Sequence, residues 1–203
     1  MQNTAILPLF YLAPINYFSL LNKVSDDFLI EKYEHFPKQT YRNRMSILSP
    51  NGRLDLTVPI LKGSKMRTKA LDVRISNDFK WQRMHWMSLE SCYRSSAYFE
   101  FYEDDLVPFY TKKFDFLFDY NLQMTEWLVK KLKFKMDLNF TTSYSDEVLP
   151  DLDFRNKMSP KTMDEQPNNK PYYQVFEDRF DFMPNLSIVD LLFNQGPHAK
   201  NYL

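Results

Sequence analysis

Ten residues from His35 to Arg44 (HFPKQTYRNR) carry one imidazole, one ammonium, two guanidiniums, two side-chain amides and two hydroxyls. In an extended chain alternate side chains share a face. Lys38, Thr40, Arg42 and Arg44 would then line one side, and Gln39, Tyr41 and Asn43 the other. A row of Lys and Arg suits a phosphate or diphosphate, with side chains rather than backbone amides holding the anion. Lys38, Arg42 and Arg44 are the candidate anion ligands, and Tyr41 and Asn43 could orient an acceptor. His35 is the candidate general base, because an unperturbed imidazole titrates near pH ~6.5 and can take a proton from an amine or hydroxyl. Glu34 alternates to the opposite face and is no obvious partner for it. The same stretch also reads as a solvated strand face paired with Glu31, Glu34 and Asp55.

Other chemistry-bearing residues are more scattered. His85 falls on the apolar stripe of a helical pattern, where a histidine either hydrogen-bonds inside the core or lines a pocket. Tyr93, eight residues on, shares that face. Asp190 interrupts an apolar helix, so it caps, pairs with an internal Arg, or lines a site. Cys92 is the only cysteine. It lies near a helix C-terminal end, where the dipole raises a thiol pKa, so packing is the expected role. Glu103-Asp104-Asp105 is expected to open a helix and complement its dipole. No metal ligand set and no cofactor is expected.

Composition removes several function classes. The 203 residues include only 3 glycines, far apart at 52, 63 and 196, so no glycine-rich phosphate loop exists. Lys plus Arg and Asp plus Glu are each 26; zero net charge argues against a nucleic-acid partner. A small-molecule substrate, such as a sugar nucleotide, is the expected partner. One cysteine gives no disulfide framework or thiolate zinc site. The first charged residue is Lys23, with Pro8 and Pro14 before it; neither a basic leader nor a membrane span is legible, and a cytoplasmic protein is expected.

The elements that must position these residues read as α+β. Residues 4–12 suit a buried strand, 15–24 a helix and 28–33 a second strand. A hairpin is expected over 41–60, turning at Pro50-Asn51-Gly52, with Leu54, Leu56, Val58 and Ile60 alternating after it. Residues 61–69 form a basic loop, and alternation at 71–75 suggests another strand. Helical spacing then covers 79–134, with Asp78 a candidate N-cap. A long Pro-containing loop or lid occupies 137–171. Residues 172–176 could be a strand, and a C-terminal helix at 186–194 ends at Gly196-Pro197. The expectation is one domain: a mainly antiparallel N-terminal sheet covered by the helices.

Several segments together resemble one family: YLAPINYF (11–18), YEHFPKQTYRNRMSIL (33–48), LTVPI (56–60), WQRMHWMSLESCYRSSAYFEFY (81–102) and FMPNLSIVDLLFNQGP (182–197). In order and content they look like a WbqC-like protein. The resemblance implies a role in bacterial surface-polysaccharide synthesis. Transfer of an acyl or aminoacyl group, glycyl for example, to a nucleotide- or lipid-linked amino sugar is the suggested activity. A non-catalytic scaffold in envelope biogenesis is the alternative. The family supplies no catalytic residues to carry over. Relatives often show Gln-Pro and Gly-Tyr-Phe where this chain has Leu7-Pro8 and Asn16-Tyr17-Phe18.

Overall fold

The computed structural model describes residues 4–24, 27–61, 68–160 and 169–203. The chain opens with a β-α-β unit: β1 (Ala5–Leu7), α1 (Ile15–Val24) and β2 (Phe28–Ile30). β1 and β2 pair in parallel, as a helical crossover requires. Ile15, Tyr17, Phe18 and Leu21 of α1 are buried, and the Tyr17 hydroxyl donates to the Pro8 carbonyl at 2.8 Å.

Two later segments widen this sheet by single parallel bridges, Ile6 with Asp153 and Ile30 with Phe140. The resulting order is 153, β1, β2, 140. Residues from the expected 137–171 loop thus flank the sheet on both sides; 161–168 lie outside the described residues. A parallel arrangement was not legible, because its strands are three residues long.

The expected hairpin forms as β3 (Arg44–Ser49) and β4 (Gly52–Thr57), antiparallel from Arg44 opposite Thr57 to Ser49 opposite Gly52. Gly52 takes a φ of 96°, which the turn requires. The hairpin starts at 44 rather than 41, because residues 38–43 bend and turn.

The 71–75 alternation is real, with Val73 and Ile75 buried, but the chain is not a strand there. Ala70–Asp72 make a turn of 3-10 helix. Arg74 and Ile75 then bridge singly to Phe116 and Ile60. The basic loop of 61–69 lies mostly outside the described residues. Residues 172–174 are irregular too: the Gln174 side chain, bonded both ways to the Met183 backbone, holds them.

Helices α2 (Trp81–Tyr93), α3 (Phe99–Thr111) and α4 (Leu117–Lys131) pack around an aromatic core. The N-cap of α2 is Lys80; Asp78 instead accepts from the Ser76 hydroxyl at 2.7 Å. α3 begins at Phe99, so Glu103 and Asp105 sit inside it and answer cations rather than the helix dipole: Glu103 pairs with Arg94 and Asp105 with Lys131. A short helix α5 (Glu177–Phe180) precedes α6 (Ile188–Gln195), which is buried from Ile188 through Asn194. Ser187 precedes α6, but its hydroxyl donates to the Leu12 carbonyl at 2.6 Å, tying α6 to the N-terminal unit. Gly196 ends α6 at φ 51° under the Tyr98 ring, where a Cβ would collide.

Candidate functional site

Open parallel sheets present ligand sites beyond the carboxyl ends of their strands. Here that edge is followed by Glu31 after β2, Thr141 after the Phe140 bridge, and Asp153 and Arg155 beside the Ile6 bridge. These residues form a charged network, buried except for the half-buried Asp153. The Glu31 carboxylate accepts from the Tyr33 amide at 2.6 Å and the Thr141 hydroxyl at 3.0 Å. Arg155 donates to both Asp153 oxygens at 2.9 and 2.7 Å and to the Ser145 carbonyl at 2.8 Å. It lies 3.6 Å from Glu31 Oε2.

Arg42 completes the network. Its Nε and Nη2 meet the two oxygens of Glu34 at 2.7 Å each, and Nη2 also donates to the Arg155 carbonyl at 2.9 Å. Burial raises the Glu34 carboxyl above the ordinary range, and the Arg42 guanidinium opposes that rise. The network holds three carboxylates against two guanidiniums.

A second, exposed layer covers the first. Residues 32–36 run antiparallel to 68–71: Phe36 N donates to Thr68 O at 2.9 Å, Ala70 N to Glu34 O at 2.8 Å, and Leu71 N to Lys32 O at 3.0 Å. His35 and Lys69 are therefore directly opposed, in the non-hydrogen-bonded type of pair whose side chains stand closest. Both are exposed. Tyr33 shares their face by alternation. Lys32 Nζ lies 5.3 Å and Lys69 Nζ 5.7 Å from its ring centroid. Glu34, between Tyr33 and His35, turns inward to Arg42. The alternation expected of Glu34 and His35 is present, and its pivot is a buried ion pair. The arrangement offers an imidazole, two ammoniums and a phenol ring to an anionic ligand.

The remaining sequence candidates disperse. Because 38–43 is not extended, no shared cationic face forms. Lys38 is exposed. Arg42 is engaged inside the network and is not available to an external ligand. Arg44 is half-buried on β3, 3.7 Å from Asp55. Tyr41 is buried, its ring edge-on to Phe10, which places it in the core rather than at an acceptor. Asn43 donates to the Val58 carbonyl at 2.9 Å and serves the hairpin.

His85 and Tyr93 do not meet in one pocket. His85 Nδ1 is 3.0 Å from the Tyr11 hydroxyl, which in turn is 3.2 Å from that of Tyr110. Burial lowers the imidazole pKa to about 4, a backbone hydrogen bond to Thr57 opposing the shift. Tyr93 instead donates to Asp190 at 2.7 Å. Asp190 neither caps nor pairs with an arginine. It also accepts from Tyr172 at 2.6 Å and Gln174 at 3.2 Å, fully buried. Burial raises its pKa against those three bonds. Cys92 is buried, and desolvation pushes its thiol up, as a packing residue's would be.

Lys32, Tyr33 and Lys69 were not among the sequence candidates. The alternation of Tyr33 with His35 was a usable signal. The arrival of Lys69 was not, because it depends on a distant pairing.

Residues 10–154 match the model of the WbqC-like protein family. The chain belongs to the WbqC-like family. The match contains the whole exposed layer and all of the charged network beneath it except Arg155, and leaves Asp190 outside. The uncharacterized protein Rv1507c of Mycobacterium tuberculosis is 27% identical over 236 residues, spanning 100% of this chain and 98% of that relative. No solved structure matches. Among the described residues no helix is long and apolar enough to cross a membrane. Nor do any three of their His, Cys, Asp or Glu side chains group to hold a metal ion.

Proposed function

We propose that this WbqC-like protein is an enzyme of surface-polysaccharide synthesis that acts on a phosphate-linked amino sugar at the Tyr33–His35–Lys69 face. The supporting observation is the opposed His35–Lys69 pair with two ammoniums around Tyr33, all beyond the carboxyl edge of the parallel sheet. Lys32 and Lys69 hold the phosphate or diphosphate, joined by Lys38 from the following bend. His35 accepts the proton of the sugar amine as that nitrogen bonds the carbon of an activated acyl group and the acyl leaving group departs. The buried Glu34–Arg42 pair fixes which way the 33–35 segment faces. Membership of the family and the match over residues 10–154 are in keeping with this reading.

Isothermal titration with pyrophosphate and with nucleotide-linked amino sugars tests the binding half. Binding is expected, and Lys69→Ala weakens it about fivefold, the loss of roughly 1 kcal/mol of exposed charge interaction. Unchanged binding in Lys32→Ala and Lys69→Ala removes the anion site. Full turnover by His35→Ala in an acyl-transfer assay removes the base.

A further inference from the structure

Position 121 is a polar break in the apolar inner stripe of α4. Asn121 is 2% exposed. Its Nδ2 donates to the Arg42 carbonyl at 2.7 Å. A carbonyl only accepts, so this bond fixes which end of the amide is which. The other end, Oδ1, has no hydrogen-bond partner. Leaving such a buried acceptor unmet costs about 1–3 kcal/mol.

Asn121 lines a cavity of about 10 Å³ whose other polar walls are Glu31, Glu34 and Arg42, with Leu117 and Phe118 among the apolar ones. That is about the smallest space that holds one water. Asn121 Oδ1 and the two carboxylates are all acceptors, so an occupant must donate more than once from a very small volume. The Arg42 guanidinium in the same wall disfavours a cation.

We infer that one resident water occupies this cavity, donating to Asn121 Oδ1 and to a carboxylate oxygen of Glu31 or Glu34. It links α4 to the charged network and relieves the orphaned amide oxygen. The inference stands independently of any substrate at the exposed face.

A crystal structure of the full chain at a resolution fine enough to show ordered water tests it. A density peak is expected at hydrogen-bond distance, ~2.6–3.2 Å, from Asn121 Oδ1 and from one glutamate oxygen. An empty or collapsed cavity, or a peak with the short multiple contacts of a metal ion, overturns the inference. In solution, oxygen-17 magnetic relaxation dispersion counts long-lived waters. Asn121→Leu, which fills the space with a methylated chain, is expected to show one fewer than the wild type; an unchanged count overturns the inference. If that variant does not fold, the wild-type density decides alone.

Discussion

Glu34 and Arg42 meet as a two-pronged ion pair, both bonds 2.7 Å, with the side chains only 7% and 3% exposed. The pair closes the chain between the exposed His35 and the start of β3. It converts a stretch with three cationic side chains and an imidazole into an inner anchor and an outer face. Removing one partner strands a buried charge. Arg42→Ala is therefore expected to cost about 3–5 kcal/mol in urea unfolding, while replacing both partners together with apolar residues of similar volume recovers most of that. Equal losses in the single and double variants would contradict the pairing's structural role.

His85 gives the protein an acid-sensitive core. Its folded pKa is about 4 against an ordinary 6.5. The unfolded chain binds a proton there at higher pH than the folded chain does. Stability therefore falls as pH drops from 6.5 towards 4 and is unaffected by this group below that. The full effect is on the order of 3 kcal/mol. A non-titrating His85→Gln variant, compared with wild type by denaturant unfolding across that window, is expected to lack this component. Parallel profiles would show that His85 is not the group responsible.

Asp190 works in the opposite sense. Burial raises its folded pKa above the ordinary 3.8. Its contribution is fully present below pH 3.8 and is lost as pH rises through the folded value. Wild type should accordingly lose ground to Asp190→Asn as pH increases from 3.8 upward. Asp190→Ala should be worse than Asn at every pH, by about 1–3 kcal/mol, because it strands the hydroxyls of Tyr93 and Tyr172. A pH-independent gap between wild type and Asn would refute the shift.

The exposed layer should separate binding from folding. His35 and Lys69 are exposed, so each alanine variant should keep its thermal midpoint within about 2 °C of wild type, as surface substitutions usually do. Pyrophosphate affinity should meanwhile fall with added salt, since exposed charges are screened. A large loss of midpoint in Lys69→Ala would make that lysine structural instead.

Legibility followed the range of the interactions. The hairpin was readable because its turn signal and alternation sit side by side, and the helices because their inner stripes repeat every three or four residues. The short parallel strands were not, since three residues carry no period and their partners at 140 and 153 arrive from far along the chain. The segment 71–75 kept its burial pattern but became a 3-10 turn, because its backbone bonds to residue 32 on one side and residue 117 on the other.

For the site, the sequence alone determined the inventory: a concentration of cationic and polar groups at 35–44, no glycine loop to bind phosphate through the backbone, and one cysteine. It also determined that Glu34 and His35 must face opposite ways wherever the chain is extended. Only the tertiary structure decided which cations stay outside. Arg42 goes inward because burial leaves the Glu34 carboxylate in need of a guanidinium, and Lys69 comes outward opposite His35 because antiparallel pairing fixes register across the intervening chain. Charge and side-chain type are local properties of a sequence; which charge is desolvated is set by what folds over it.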